Sequence, residues 1–480
     1  MMKKISLKSI VSAFLLILSL SVSAQDKTVT VLAINDMHAY LDRMAQFGGV
    51  VDSLRAIYPD LFIVSSGDNR TGNPFNDMYP EPARPMVELM NAIGFNVSTL
   101  GNHEFDSGFQ NLKKLMNLSK FPHIVCNVFP ADSMGYQFQP YQIFDVSGVK
   151  IGVLGVLQLN SLGIPDCHPD KAKGIRFTPV VQTVEKYADV LRKQCDIELL
   201  VSHIGFDEDK EMAQKFPMFD AILGGHSHTF VEGNTFVNNV LITQSKNKVR
   251  FCTLIKFNLK DGKVVSKSSE VISIENSSLK SEKIEQMVAD FSKNPELEKR
   301  VTTLAKPVKG YDNFGCMMTD GQAASSNCQI AIQNGGGVRF DYHDAGDFTV
   351  KDALMLDPFG NLIWTFKLTG RQILDIIKIC KERDEGVEPY VSGMSYIMYV
   401  DKDNPEKVLE VNGFLPNGKP IKPKKVYSVA ANSYTVSITD MKKYGGVETT
   451  KTSCDCMIEF LSKKPSVDYS TTRRTQIVKR

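Results

Sequence analysis

The chain has 480 residues, and its 56 Lys and Arg against 54 Asp and Glu leave a formal charge of +2. That near-balance gives no electrostatic footing for binding nucleic acid or a membrane surface. The length exceeds what one hydrophobic core ordinarily fills, so two domains are expected.

Residues 1–24 have the layout of an export signal. Lys3, Lys4 and Lys8 make a basic start, Ile10 to Leu20 is apolar, and Val22-Ser23-Ala24 offers small residues before Gln25. The apolar run is shorter than the about 20 residues needed to cross a bilayer. No cysteine follows it to take a lipid anchor, and no later segment is apolar for long enough to span. The expectation is a periplasmic or secreted protein without stable membrane insertion; nothing in the sequence sets an oligomeric state. The nine cysteines are an odd number; export permits disulfides, but spacing does not give their connectivity. Cys454-Asp455-Cys456 reads as an exposed pair with no metal role.

Strand-like and helix-like runs alternate through the first half. Thr28 to Ile34 reads as a buried strand ending at Asn35-Asp36, and Leu61 to Ser65 as another ending at Gly67-Asp68. Helical spacing over Gly48 to Ile57 lies between them. Pro85 to Ile93 follows as a helix with proline in its first turn, then Val97 to Leu100 as a short strand into Gly101-Asn102. Val149 to Val156, Ile197 to Val201 and Ala221 to Leu223 continue the strands. Val240 to Leu259 is expected as paired strands, with Asp261-Gly262 as the turn into Lys263. Ser281 to Leu304 is polar and compatible with a helix. Beyond Gly310 a second α/β unit is expected: a helix around Ala323, a strand over Gln329 to Gln333, then Leu362 to Leu368, a helix over Arg371 to Cys380, and Val426 to Ala430. Apolar strands separated by helices indicate layered α/β architecture, with loops converging on one sheet edge.

Five segments hold most of the chemistry: Asp36-Met37-His38, Gly67-Asp68, Gly101-Asn102-His103-Glu104-Phe105-Asp106, His203, and Gly225-His226-Ser227-His228. Five of the chain's eight histidines lie in them. Residues two apart on an extended segment project to the same side, so Asp36 with His38 can reach one ion, and His226 with His228 share that spacing. Carboxylate oxygens mixed with imidazole nitrogens suit zinc, manganese or iron(II) better than calcium. Asp68 has two oxygens to bridge two ions, and Asn102 offers a neutral carbonyl oxygen. Two ions about 3.5–4 Å apart can share a hydroxide and clamp a phosphoryl group for in-line attack. His103 is then free to serve the leaving oxygen, with Asp106 to orient it.

This set resembles the calcineurin-like metallophosphoesterases. The aspartate after Gly-Asn-His-Glu-Phe and the second half of the chain make it similar to the secreted 5′-nucleotidases, which include bacterial UDP-sugar hydrolases. The resemblance implies a four-layer α/β metallophosphoesterase domain over residues 25–311, a linking helix at 312–326, and a smaller α/β substrate-binding domain over 327–480. It implies that Asp36, His38, Asp68 and His228 hold one divalent ion and that Asn102, His203 and His226 complete a second, with Asp68 bridging. His103 and Asp106 would form the catalytic dyad.

In the second half, Asn334-Gly335-Gly336-Gly337-Val338-Arg339 lacks the Gly-Lys-Ser/Thr of an ATP-binding loop. Its glycines let the backbone approach a ligand, and Arg339 can fork onto phosphate or carboxylate. The motif resembles the family's substrate loop, as Pro358-Phe359-Gly360-Asn361 resembles its Pro-Phe-Gly-Asn turn; Asn334, Gly336, Arg339, Phe359 and Asn361 are the substrate contacts implied. The family grips a nucleobase between two aromatic rings. Here Tyr390 precedes Val391-Ser392-Gly393, but Glu388 falls at the usual aromatic position. The Gly-Asp-Gly-aromatic run is missing, which leaves Tyr434 or Tyr444 for the second ring. The expected reaction is hydrolysis of a nucleoside 5′-monophosphate to nucleoside and phosphate by a metal-bridging hydroxide. The alternatives are the same chemistry on UDP-sugars, 2′,3′-cyclic nucleotides or other esters, and an exported nucleotide-binding module without turnover.

Overall fold

The computed structural model describes residues 26–384 and 386–480; the expected export signal at 1–24 lies outside the described residues. Along the first strand, Lys27–Ile34, side chains alternate between two apolar layers: Leu32 and Ile34 face one, Val29, Val31 and Ala33 the other. The strand is central in a five-stranded sheet ordered Lys263–Ser273, Phe251–Lys260, Lys27–Ile34, Phe62–Ser65, Val97–Ser98. A six-stranded sheet runs Thr235–Val237, Val240–Thr243, Ala221–Leu223, Ile197–His203, Val149–Leu157, Tyr141–Val146. The sheets meet face to face over Val31, Val64, Val153, Leu199 and Ile255. Helices Met44–Ile57, Arg84–Ile93 and Glu282–Phe291 cover the outer face of the first sheet, and Val180–Arg192 and Phe206–Lys215 that of the second. The result is the four-layer α/β/β/α arrangement expected. Burial on both faces is why the central strands, such as Phe62–Ser65 and Ile197–His203, are buried along their whole length.

The strands Lys27–Ile34, Phe62–Ser65 and Val97–Ser98 pair in parallel, as Val149–Leu157, Ile197–His203 and Ala221–Leu223 do in the other sheet. Their C-terminal ends gather at one edge, where loops of open α/β sheets form ligand crevices.

Three local expectations are corrected. Val240 to Leu259 is not a strand pair. Val240–Thr243 runs parallel to Ala221–Leu223 in the second sheet, while Phe251–Lys260 is antiparallel to Lys27–Ile34 in the first. Two equally apolar strands do not disclose which sheet each joins; residues 244–250 cross between the sheets. Ser281 to Leu304 is a helix, Glu282–Phe291, then a strand, Arg300–Leu304, with Pro295 between them. Cys454 and Cys456 are buried on the helix Ser453–Ser462, not exposed, and all nine cysteines are unpaired thiols.

The C-terminal part is built on a second five-stranded sheet ordered Tyr390–Ser392, Ile330–Gln333, Val426–Asn432, Leu362–Thr369, Val447–Thr452. The helix Tyr311–Ser325 enters it and lies tightly on the helix Ser453–Ser462; a Cβ at Gly321 would stand 2.6 Å from the Met457 Cα. Asp320 on that helix takes a two-pronged ion pair from Arg474, at 2.8 and 2.9 Å. No helix among the described residues is long and apolar enough to cross a membrane.

Candidate active site

Each metal-ligand candidate sits at the end of a strand or in the loop just beyond it. Asp36, His38, Asp68, His226 and His228 all have positive φ, between 46° and 79°. Non-glycine residues hold that conformation only where the surroundings enforce it, and such strain gathers at functional sites. The turns are packed to the limit. A Cβ at Gly67 would lie 2.5 Å from the Gly101 amide nitrogen, and one at Gly101 would lie 2.0 Å from Asp68 Oδ1. This close approach is why each loop carries its glycine.

The side chains converge on two adjacent points. At the first, His38 Nε2 and His228 Nε2 face each other at 2.9 Å, and Asp36 Oδ1 lies 3.9 and 3.4 Å from them. At the second, Asn102 Oδ1 is 3.3 Å from His203 Nε2 and 3.1 Å from His226 Nδ1. Asp68 Oδ2 lies between, 3.3 Å from His203 Nε2 and 4.0 Å from His38 Nε2. Two imidazole nitrogens that point at each other need a proton or a cation between them. Buried nitrogens and carboxylate oxygens crowded this closely therefore fit divalent ions in their donor chemistry.

The frame around these donors is made of peptide groups. His38 Nδ1 meets the Thr71 carbonyl at 3.2 Å and His203 Nδ1 the Ser66 carbonyl at 2.6 Å, which leaves Nε2 directed inward. Glu104, 4% exposed, accepts the backbone N–H of Asp68, Asn69 and Gly101 at 2.9, 2.9 and 2.6 Å. It thereby ties the loop of Asp68 to the loop of Asn102. Burial and the nearby Asp68 carboxylate nevertheless push the Glu104 carboxyl up to about 7, against the pull of these N–H groups.

Charges in the pocket shift one another. Burial pushes the Asp68 carboxyl up, but the imidazoles of His203 and His103 outweigh it and hold Asp68 well below the usual carboxylate range. Burial resists charge on His203, yet Asp68 and Asp36 raise it to about 9. Burial and the Arg339 guanidinium keep His38 well below the ordinary histidine value. His103 stands apart from the two donor sets by its partner: its Nδ1 bonds Asp106 Oδ2 at 2.8 Å, while its Nε2 lies 3.8 Å from Asp68 Oδ2.

A cavity of about 590 Å³ opens over this centre and is closed by the C-terminal part. Arg339 Nη2 reaches His38 Nε2 at 3.2 Å, and the Phe359 ring lies on the His103 ring, centroids 5.7 Å apart. Asn334, Gly336, Asn361, Tyr390 and Tyr434 line the same cavity. Their engagement differs. Asn334 takes part in a buried amide network with Gln333 and Asn432, at 3.0 Å each, and Gly336 N–H donates to Asp384 at 2.9 Å. Asn361 Oδ1 accepts from Ser433 at 3.0 Å. Tyr390 is only 3% exposed and packs so closely on Gly315 that a Cβ there would be 2.2 Å from its ring. Tyr444 packs into the C-terminal core and is not part of the cavity wall.

Several wall residues carry no motif. Trp364, the sole tryptophan, lines the cavity with Nε1 on Glu448 at 2.9 Å; Phe366 stacks with its ring and Lys442 lies 5.1 Å from it. Asp384, Asn247 and Lys248 are also in the wall. The tryptophan's uniqueness was a usable signal; Asn247 and Lys248, in a polar loop between apolar strands, offered none.

Fold and donor set together are similar to those of metal-dependent phosphoric ester hydrolases. A calcineurin-like phosphoesterase model matches residues 29–230, and a 5′-nucleotidase C-terminal domain model matches residues 288–442. The chain thus combines a calcineurin-like phosphoesterase domain with a 5′-nucleotidase C-terminal domain. Endonuclease YhcR of Bacillus subtilis is 27% identical over 86% of this chain, which spans only 37% of that protein's length. The chain likewise spans 31% of a second relative from that organism. Protein UshA of Yersinia enterocolitica is 25% identical over 93% of each chain. A 5′-nucleotidase precursor from Thermus thermophilus has the same fold, with a TM-score of 0.84 at 20% identity over 94% of this chain and 99% of that one.

Proposed function

We propose that this chain is an exported enzyme that hydrolyses nucleoside 5′-monophosphates to nucleoside and phosphate. One observation carries the reading: two donor sets, a His103–Asp106 pair and Arg339 face a single cavity between the N-terminal and C-terminal parts. Asp36, His38, Asp68 and His228 hold one divalent ion, and Asp68, Asn102, His203 and His226 hold the other; zinc and manganese suit these donors. Such a pair supplies a nucleophile from water and neutralises phosphoryl charge. Arg339 forks onto the phosphoryl oxygens, and His103, oriented by Asp106, gives its Nε2 proton to the leaving oxygen. We assign metal binding to the N-terminal part and substrate contacts to the C-terminal part. The expected boundaries at 25–311, 312–326 and 327–480 shift, because Arg300–Leu304 and Val308–Lys309 pair with C-terminal strands and the helix is Tyr311–Ser325. Asn361, Phe359 and Tyr434 line the route to the leaving group.

A second reading keeps the chemistry and changes the ester. Tyr390 is buried at the first expected ring position, and Trp364, which stacks with Phe366 and has Lys442 5.1 Å from its ring, lies outside the motif that would supply the second. UDP-sugars, 2′,3′-cyclic nucleotides or simpler phosphate esters fit that wall as readily. A panel of AMP, UDP-glucose, 2′,3′-cyclic AMP and an aryl phosphate decides. The nucleotidase reading requires AMP to have the highest kcat/KM, and a higher value for any other member replaces it.

A further inference from the structure

An imidazole that presents Nε2 to an ion needs its Nδ1 proton held, and the holder sets both tautomer and ring angle. Peptide carbonyls do this for His38 and His203. At His228, whose side chain is 30% exposed, the partner is a side chain: the Asn247 amide, 3.0 Å from Nδ1. Its nitrogen is the atom placed nearest. A half-turn of the amide puts Oδ1 there instead, the two atoms being interchangeable in shape.

Asn247 lies in the crossing between the two sheets, and that crossing is strained. Lys246, Lys248 and Val249 have φ of 63°, 54° and 54°, without a glycine among them. It is also fastened on every side. Lys248 N–H donates to the Asp36 carbonyl at 2.8 Å and Lys246 N–H to the Thr229 carbonyl at 3.1 Å. Asn35 Nδ2 and Arg43 Nη1 reach the carbonyls of Lys246 and Lys248 at 2.7 and 2.9 Å. Lys248 Nζ donates to the Arg339 carbonyl at 3.1 Å. The turn is thus pinned beside two candidate ligands and beside the arginine of the opposite wall.

We propose that Asn247 is the positioning residue of His228. Its amide oxygen accepts the Nδ1 proton and aims Nε2 at Asp36 and His38, and the strained turn is retained because it delivers that amide. The proposal rests on the ligand role proposed for His228.

The test is a chelator-competition titration of the full-length protein with manganese and with zinc, counting ions and their affinities. Melting of the metal-free protein is followed in parallel. Asn247→Ala is expected to weaken one of two ions about 10–100-fold while metal-free melting stays unchanged. Asn247→Asp, which keeps an acceptor oxygen at the same reach, is expected to restore the affinity, and it remains informative if the alanine variant does not fold. Wild-type affinity in Asn247→Ala, or a weak ion in Asn247→Asp, overturns the proposal. So does a drop in metal-free melting that accompanies the lost affinity. His228→Ala separates the two levels: if it keeps both ions tightly, the ligand reading itself fails.

Discussion

The two walls of the cavity are built by different means. On the N-terminal wall, donors stand at strand ends and peptide groups brace them: Thr71 and Ser66 carbonyls behind two histidines, and three backbone N–H groups on Glu104. On the C-terminal wall, side chains brace side chains: Asn334 on Asn432 and Gln333, Asn361 on Ser433, Trp364 on Glu448. Peptide bracing survives most substitutions nearby, so the first wall demands only a few residue types at fixed spacing. Side-chain bracing can be exchanged piece by piece, which lets the second wall vary. The first wall should therefore govern whether turnover occurs, and the second which ester is preferred.

The sharpest way to break that contrast is at Asp68, the carboxylate proposed to serve both ions. Asp68→Asn should lower kcat by at least about 10³-fold, equivalent to several kcal/mol of transition-state stabilisation. Thorough chelation should do the same, with recovery when zinc or manganese is returned. Turnover that persists in metal-stripped protein would move the chemistry off this wall altogether.

Next in size is the His103–Asp106 pair. A positioned general acid contributes about 10²–10⁴-fold, so His103→Ala should lose kcat in that range with little change in KM. The pH profile carries a sign. Burial opposes charge on His103, but the Asp68 and Asp106 carboxylates outweigh it and raise the ring's pKa above the ordinary histidine value. The ring therefore holds its proton to a higher pH than an ordinary histidine and loses it as pH climbs through the raised value. The alkaline limb of kcat should report that loss. Asp106→Asn should shift the limb to lower pH, and an unmoved limb would mean that another group donates the proton.

Arg339 tests the opposite wall. Its guanidinium lies 5.8 Å from the Phe359 ring and reaches His38 across the cavity. Lysine keeps the charge but loses the planar fork. Loss of one charge-assisted hydrogen bond, about 1.5–3 kcal/mol, corresponds to roughly 10–100-fold in kcat/KM for Arg339→Lys. Steady-state kinetics on AMP and on an aryl phosphate should show similar losses, since both present the same phosphoryl group.

The same contrast explains what was legible in the sequence. Apolar strands separated by amphipathic helices disclosed the layered N-terminal fold, because burial on two faces leaves a continuous apolar run. Glycine-flanked Asp68 and Asn102 stood out because two loops pack within a Cβ of each other. The destination of Val240–Thr243 was not legible, since periodicity records which faces are buried and not which neighbour buries them. That error hid the crossing at 244–250, and with it Asn247 and Lys248. Glu104 was visible as part of a motif, but its role depends on the N–H groups of Asp68 and Asn69, distant in sequence, which no side-chain pattern reports. Tyr390 reads as a base-gripping ring before Val391-Ser392-Gly393; its burial follows from Gly315, more than 70 residues away by the numbering, giving it room.

The smallest expected effect is on base preference, and it bears most directly on the second wall. A base held between aromatic rings gains about 1–3 kcal/mol from stacking. Here Tyr390 is sequestered, while Phe359, Trp364 and Tyr434 remain in the cavity wall without forming the expected motif pair. AMP, GMP, CMP and UMP should accordingly differ by less than about tenfold in kcat/KM, or ~1.4 kcal/mol. Tyr434→Ala should change those values by a few-fold at most and leave the aryl phosphate unaffected. A spread of several hundredfold among the four nucleotides would require rings that close on the base in the bound state. It would also show that the side-chain-braced wall rearranges on binding, while the peptide-braced wall stays as it is.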